Sequence, residues 1–348
     1  MRLRSVFAAA LILVLVSAGA ANASGGGVRA FVLAGAPDSF ADLQVHVASI
    51  SVAYPTYFQC ASSGSRVMSS EEADLNEYAA AHGVALMPRY TCQAGAQVHR
   101  LLADRSLRAH LLSQLLALGA RTPYRGLCLD LENDLAADRT PMSTFVAALA
   151  RGLHALGKRL TVVVDGVTHE SPLASTGFYD DAEIAALADE VFVLAWGVHW
   201  EHSAPGPIAP LPWVREVAAY LRSLPHAHRF VLGVPMYGLD WVDPNGPSEG
   251  DGGSVAGGAG AVADGGAASA YQYSNVVRLA ETVGATPTRD VAADEMTFAY
   301  TRAGARHTVF YLDASAVAAR LRAGLDAGLN VGVWRLGSED QSLWASLP

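Results

Sequence analysis

The chain has 348 residues, 51% of them apolar, and its 33 acidic against 24 basic side chains give a formal net charge of −9 at pH 7. A disordered tail would be poorer in apolar residues, and a disulfide-stapled miniprotein would be shorter and richer in cysteine than a chain with 3 Cys. The acidic balance argues against a nucleic-acid binder, which is usually basic. These values leave a globular protein of one large domain or two small ones.

Residues 1–23 have the pattern of a cleavable secretory signal. Arg2 and Arg4 precede an apolar run at 6–16, and the small residues at 21–23 match a signal peptidase site. The run is too short to anchor the chain stably in a bilayer about 30 Å thick. We therefore predict cleavage after Ala23 and a mature chain, 24–348, that is secreted or extracytoplasmic and has no membrane segment.

Short apolar, β-branched runs then alternate with longer helical patterns, which is typical of βα units around a parallel sheet. The runs predict eight strands, at 28–33, 47–54, 84–89, 126–132, 160–165, 190–196, 229–237 and 330–336. Helical patterns between them include 70–82, 106–118, 143–156, 182–188, 213–224 and 314–327. Eight strands with intervening helices predict an α/β fold, a (β/α)8 TIM barrel with its active site at the carboxyl ends of the strands.

The interval after the seventh strand is too long for one crossover. It begins with a Gly-rich loop, 245–270, whose composition buries little apolar surface. A helix near 273–283 and a hairpin of 296–301 with 308–312, turning at Ala303-Gly304, are predicted to follow. We predict a small α+β insertion that extends to about residue 313 and belongs to the barrel domain.

Strict alternation in residues 126–132 places two carboxylates on one face of the fourth strand. With a period of two, Cys128, Asp130 and Glu132 share one face and the leucines share the other. Because the leucines suit the helix layer, the carboxylates are predicted to point into the barrel mouth. Two like charges so close favour protonation of one of them near neutral pH, as an acid catalyst requires. The alternative, that the pair flanks a solvent-exposed loop, stays open on this segment alone.

The cysteines and histidines allow fewer conclusions. Cys60, Cys92 and Cys128 fall at the ends of the second, third and fourth predicted strands, which adjoin in a barrel. An exported protein favours pairing, and Cys60–Cys92 is the preferred bridge because Cys128 is predicted to face inward; three buried thiols are the alternative. His199 and His202 alone are too few ligands for a metal site, so we predict that they are loop histidines. We predict no metal and no cofactor.

Asp130 and Glu132 also occupy the last two positions of a known signature, D-x-x-D-x-D-x-E, in which Cys128 stands at a position that is usually acidic or polar. Residues 199–214 contain H-W and then G-P-x-A-P-L-P-W-V, and residues 233–241 contain G-x-P-x-Y-G. By these stretches and by 332–340, the chain resembles glycoside hydrolase family 18 (the chitinase family), and within it the bacterial spore-cortex and peptidoglycan-lytic N-acetylglucosaminidase branch. The likeness extends from about residue 28 to residue 344.

The resemblance implies a barrel enzyme that cleaves β-linked N-acetylglucosamine polymers with retention, the acetamido oxygen of the substrate attacking the anomeric carbon. By position it implies that Glu132 is the general acid and then the general base. Asp130 is implied to orient the acetamido group and to stabilise the oxazolinium ion. The expected substrate-binding side chains are Tyr54, Trp196, Trp200, Tyr237 and Trp334. For Tyr237 and Trp334, ordinary barrel packing is the alternative.

One departure from the family bears on activity. Its sixth strand ends M-x-Y-D, whereas this chain has Leu194-Ala195-Trp196-Gly197, so a hydroxyl and a carboxylate are missing. The indole N–H of Trp196 donates one hydrogen bond and accepts none, so it replaces the tyrosine only in part. The hypotheses are a secreted glycosidase acting on peptidoglycan or a chitin-like polysaccharide, a weakened or inactive glycan-binding protein on the same barrel, and a barrel with unrelated chemistry. The sequence does not predict the oligomeric state.

Overall fold

The structure, a computed structural model, describes residues 26–61, 66–132, 135–170, 177–243 and 268–347. The predicted signal peptide lies outside these ranges, and so does the predicted Gly-rich loop, 245–270, except for its end. No helix within the described ranges combines the length and the apolar character of a membrane span. Cleavage after Ala23 and secretion therefore stay predictions.

Parallel strands close into a barrel. The strands of its sheet are β1 (Val28–Val32), β2 (Ile50–Pro55), β3 (Phe58–Cys60), β4 (Val67–Ser69), β5 (Ala85–Leu86), β6 (Arg89–Cys92), β7 (Gly126–Leu131), β8 (Arg159–Asp165), β9 (Glu190–Leu194), β10 (Phe230–Pro235) and β16 (Asn330–Trp334). Because β5 pairs with β2 and β6 pairs with β3, each of the second and third barrel strands consists of two halves. β16 returns to pair with β1, which closes the ring, and β4 is an antiparallel partner of β3. The predicted (β/α)8 fold is confirmed.

Helices alternate with the barrel strands, except for α8 (Tyr273–Val283), which belongs to the insertion after the seventh barrel strand. They are α1 (Pro37–His46), α2 (Ala73–Ala81), α3 (Gly95–Ala103), α4 (Arg105–Gly119), α5 (Arg139–Ala155), α6 (Asp181–Leu187), α7 (Leu211–Ser223), α8 (Tyr273–Val283) and α9 (Ala314–Asp326). Leu127 of β7 lies beside Gly119 of α4 and Leu153 of α5. The side chains of Cys128 and Asp130 therefore point the other way, into the barrel, as the alternation predicts.

The third barrel strand is interrupted between β5 and β6. The predicted strand 84–89 ends at Arg89, whereas the structure begins β6 at this residue and continues it to Cys92. Pro88 precedes β6, and a proline has no N–H to donate to a strand ladder. The period of two therefore restarts at Arg89.

The insertion after the seventh barrel strand is a small antiparallel sheet with one helix, α8. Its strands are β11 (Tyr237–Asp243), β12 (Ala268–Gln272), β13 (Thr288–Asp290), β14 (Glu295–Arg302) and β15 (Ala305–Tyr311). They pair in the order β12-β11-β15-β14-β13. Val276 and Ala280 of α8 pack against Phe298, Val309 and Tyr311 of the sheet, so the insertion has a core of its own.

Glu295, at the start of β14, links the insertion to the barrel through hydrogen bonds and an ion pair. Its carboxylate is fully buried and accepts hydrogen bonds from the backbone N–H groups of Ile208 at 2.8 Å and Ala209 at 2.7 Å. Arg320 of α9 lies 3.4 Å away and is also fully buried. Burial raises the pKa of Glu295 to about 7, against the charge of Arg320 and the two N–H bonds, which lower it.

Candidate active site

A small pocket lies among the carboxyl ends of the barrel strands. The residues that line it lie on, or directly after, β1, β6, β7, β8, β9 and β16. The pocket therefore forms only when the barrel closes. The lining residues are Phe31, Arg89, Asp130, Glu132, Val163, Leu194, Trp196 and Trp334.

Asp130 and Glu132 reach the pocket from the end of β7. The backbone N–H of Glu132 donates to the carbonyl oxygen of Cys92 at 2.9 Å, which continues the ladder with β6. The hydroxyl of Tyr179 donates to the carbonyl oxygen of Leu131, also at 2.9 Å. Both bonds are made by the peptide unit between Leu131 and Glu132, so the strand and not a loop fixes the backbone at the two carboxylates.

The environment of Glu132 favours its protonated form. Burial and then the charge of Asp130 raise the pKa of Glu132 well above its usual range, and Asp165 raises it further. Arg89 and the Nε2 of Gln93, which donates to Glu132 Oε1 at 2.8 Å, lower it. A carboxyl group that keeps its proton near neutral pH can act as a general acid. The direction of this shift is the one that the spacing of the pair predicts.

Arg89 stands between the two carboxylates, and the sequence analysis missed it. Its Nε and Nη2 both bond Asp130 Oδ2, and Nη2 lies 3.7 Å from Glu132 Oε1. The guanidinium carbon lies 5.1 Å from the ring centroid of Trp334 and 5.9 Å from that of Phe31. Only 8% of the side chain is exposed. The cation is therefore built into the floor of the pocket.

Two polar atoms of the pocket residues have no hydrogen-bond partner among the described residues: Asp130 Oδ1, an acceptor, and Trp196 Nε1, a donor. Both are buried, and the hydroxyl of Thr91, which pairs with Asp130 across the strands, also lacks a partner. A buried polar group without a partner costs about 1–3 kcal/mol. One free acceptor and one free donor in a single pocket are complementary to an amide group.

Asp165 is a third carboxylate near the mouth. Thr161 and Val163 precede it on the same face of β8, and Val163 lines the pocket. The position of Asp165 agrees with its influence on the pKa of Glu132. The signal that would have revealed it is the same alternation that places Asp130 on β7.

The pocket brings together four of the predicted site residues: Asp130, Glu132, Trp196 and Trp334. Tyr54 is a correction: its side chain is fully buried, and its hydroxyl donates to Glu190 Oε2 at 3.0 Å. Glu190 opens β9, at the opposite end of the barrel, so we assign Tyr54 to the core and not to substrate binding.

Trp200 and Tyr237 lie outside the pocket lining. The carbonyl oxygen of Trp200 accepts from Trp241 Nε1 at 3.1 Å. Tyr237 begins β11, and burial raises the pKa of its hydroxyl well above its usual range, with the charges of Glu201 and Glu295 adding to the effect. Their substrate contacts stay predictions.

The cysteines lie beside the site without entering it. Cys60 of β3 and Cys92 of β6 form a disulfide, with Cα atoms 5.2 Å apart. Cys128 is a buried free thiol, and burial, then the charge of Asp130, raises the pKa of this thiol. Within the described ranges, no group of three or more His, Cys, Asp and Glu side chains is arranged to hold a metal ion.

Residues 92–339 match the family model described as glycosyl hydrolases family 18. Bacillus subtilis YdhD, named as a sporulation-specific glycosylase, is 31% identical over 150 residues, 43% of this chain and 36% of that protein. The cortical fragment-lytic enzyme of Bacillus subtilis is 24% identical over 252 residues, 71% of this chain and 54% of that enzyme. The chain thus spans about half the length of these relatives, or less. A chitinase structure from Chromobacterium violaceum has a similar fold, with a TM-score of 0.77 and 22% identity, covering 92% of this chain and 97% of that one.

Proposed function

This chain belongs to glycosyl hydrolases family 18, and we propose that it is a secreted glycosidase that cleaves β-linked N-acetylglucosamine-containing polysaccharide with retention. One observation carries the proposal. The pocket that holds Glu132, whose pKa burial and Asp130 raise, is also lined by Asp130 and Trp196, and their Oδ1 acceptor and Nε1 donor have no hydrogen-bond partner among the described residues. An N-acetyl group, with its N–H and its C=O, supplies the two missing partners.

The proposed reaction is assisted by the substrate. Glu132 protonates the glycosidic oxygen while the acetamido oxygen attacks the anomeric carbon, and an oxazolinium ion forms. Asp130 Oδ1 accepts from the acetamido N–H, so its negative charge lies beside the cation as this develops. Trp196 Nε1 donates to the acetamido oxygen and orients it. Glu132, now ionised, then takes a proton from the water that opens the oxazolinium ring, and the second inversion restores the original configuration.

Trp334 is proposed to lie beneath the sugar ring. Its side chain lines the pocket, and the guanidinium carbon of Arg89 lies 5.1 Å from its ring centroid, a cation–π contact. An aromatic face provides apolar contact for the C–H groups of a pyranose ring. The polar groups of the pocket then stand on one side of the ring, at the acetamido position.

Peptidoglycan is the proposed substrate, with a chitin-like polymer as the second choice. The relatives with matching sequence include a cortical fragment-lytic enzyme and a sporulation-specific glycosylase, and a chitinase shares the fold. The pattern of residues 1–23 supports action outside the cytoplasm.

The test is the release of reducing ends from peptidoglycan fragments and from a chitooligosaccharide. We expect the wild type to release them and Glu132→Gln to lose turnover while it still binds the glycan. The matched control is Glu190→Gln, a buried carboxylate at the opposite end of the barrel, which should lower stability but leave turnover by the folded protein intact. The first product observed by NMR should be the β anomer.

The second candidate is a glycan-binding protein without catalysis. The observation that favours it is the replacement of the family's Tyr-Asp by Trp196-Gly197 at the end of the sixth strand. Binding of the glycan by the wild type without any release of reducing ends would establish this candidate and exclude the enzyme. If neither glycan binds, both candidates are wrong.

A further inference from the structure

In this chain Asp130 lacks the acidic neighbour that the family signature has on the same strand. Two residues before it, on the same inward face of β7, the signature has an acid and this chain has Cys128. Cys128 is buried, and its thiol is a weak hydrogen-bond donor. The group that holds Asp130 must therefore come from another strand.

Arg89 is that group. The register between β6 and β7 pairs Arg89 with Cys128 and Thr91 with Asp130, so the guanidinium extends along the barrel axis toward the mouth. Its Nε and Nη2 bond one carboxylate oxygen, Oδ2, of Asp130. The other oxygen, Oδ1, is the one without a partner.

We propose that Arg89 is a positioning residue for the hydrolysis proposed above, on which this inference rests. By bonding Oδ2 of Asp130, it turns Oδ1 toward the substrate's N–H. Its positive charge also lies close enough to Glu132 to stabilise the ionised form of that carboxyl group. In this role Arg89 acts through the two carboxylates, from the neighbouring strand β6.

Aromatic packing holds the cation. The rings of Phe31 and Trp334 both lie near the guanidinium, with centroids 5.9 Å and 5.1 Å from its carbon, and only 8% of the side chain is exposed. The 3.7 Å between Nη2 and Glu132 Oε1 is within the range at which a cation stabilises a carboxylate. Arg89 thus opposes burial and Asp130 in setting the proton affinity of Glu132.

The experiment compares Arg89→Gln and Arg89→Lys with the wild type. Asp/Glu-labelled protein, observed by carboxyl ¹³C NMR, gives the titration midpoint of Glu132 without any need for turnover. We expect Arg89→Gln to raise this midpoint by about 1–3 pH units, the effect of removing a cation at this distance. Arg89→Lys, which keeps the charge but not the fork, should raise it less.

Hydrolysis gives the second readout. Arg89→Gln should lower kcat by about tenfold or more, with a smaller change in KM, and should move the alkaline limb of the pH profile upward with Glu132. Arg89→Lys should recover part of kcat. The matched control is Arg29→Gln, which removes a cation from a buried carboxylate, Glu190, at the far end of the barrel. It should lower the melting temperature and leave both the midpoint and the pH profile unchanged.

The outcomes separate this inference from the proposed function. If folded Arg89→Gln, or Arg89→Lys where the glutamine variant does not fold, has the Glu132 midpoint of the wild type, the role of Arg89 is wrong. The same holds if Arg29→Gln shifts the midpoint as much as Arg89→Gln does. If the wild type hydrolyses nothing, the proposed function fails, whereas the titration still decides whether Arg89 sets the charge at Glu132.

Discussion

Replacing Trp196 by phenylalanine removes the indole N–H and keeps an aromatic ring at the pocket. In the unliganded protein this N–H has no partner among the described residues, although the side chain is only 2% exposed. The substitution therefore breaks no hydrogen bond that the described residues make. Its effect on the free energy of unfolding comes from packing alone, about 0.5–3 kcal/mol.

The substitution should also weaken glycan binding, because the indole N–H has a hydrogen-bond partner in the proposed complex with substrate. One neutral hydrogen bond contributes about 0.5–1.5 kcal/mol net. Since 1.4 kcal/mol corresponds to a tenfold change in affinity, Trp196→Phe should weaken glycan binding by about two- to twelvefold. The loss should be specific to N-acetylated sugars, because only their acetamido oxygen accepts this bond.

Calorimetric titration with a chitooligosaccharide measures the effect. The parent is Glu132→Gln, which holds the substrate without cleaving it, and the comparison is the double variant with Trp196→Phe. Trp241→Phe in the same parent is the matched control. Trp241 is fully buried, but its Nε1 donates to the carbonyl oxygen of Trp200 at 3.1 Å. It should lose about 1–3 kcal/mol of stability for the unpaired carbonyl and keep its glycan affinity.

The two tryptophans should thus differ in glycan affinity: Trp196→Phe weakens binding, whereas Trp241→Phe lowers stability and leaves the affinity unchanged. Equal dissociation constants for the parent and its Trp196→Phe variant would refute the assignment of the indole N–H to the substrate. A weakening of the same size in Trp241→Phe would show that the effect spreads through packing and is not the loss of one bond.

Three further predictions concern single groups. Asp130→Asn should lower turnover by about tenfold or more, because the oxazolinium ion loses its nearest negative charge; unchanged turnover would refute this role. Replacing Cys60 and Cys92 by serine opens a cross-link between residues separated by 32 positions, and the free energy of unfolding in urea should fall by about 3–4 kcal/mol. Glu295→Ala should lower the free energy of unfolding by about 3–5 kcal/mol. Because burial raises the pKa of Glu295 from 4.5 to about 7, wild-type stability should fall as pH rises through this interval, and the alanine variant should lack this slope.

The inward side of a regular strand could be predicted from the sequence. The period of two in residues 126–132 predicts that Asp130 and Glu132 share the barrel mouth, and the pocket contains both. The same period in β8 leads to Asp165 through Thr161 and Val163. In each strand the backbone is regular to its end, so the side on which one residue lies determines the side of the others.

Arg89 could not be predicted in this way. It stands directly after the break at Pro88, where one strand half ends and the next begins. Alternation carries no information across such a break, because the irregular residues reset the phase. The role of Arg89 also depends on β7, which follows it by more than thirty residues, and the pairing of those two strands is a property of the closed barrel.

Depth along the barrel axis is a second property that alternation does not give. Tyr54 is at an inward position near the end of β2, as a substrate-binding residue would be, yet its hydroxyl reaches Glu190 at the far end. The ring of Phe31 lies 5.0 Å from the ring of Tyr54, and Phe31 is the one that lines the pocket. Barrel strands are tilted, so neighbouring inward residues lie at different levels.

The departure at the sixth strand extends to the backbone. Gly197 has φ of +87°, a left-handed conformation that favours glycine, and its N–H donates to the carbonyl oxygen of Ile208 at 2.8 Å. An aspartate at this position would be strained. Besides burial and the charge of Asp130 on β7 itself, charges on both flanking strands act on the pKa of Glu132: Arg89 on β6 lowers it and Asp165 on β8 raises it. The sixth strand contributes the Trp196 donor.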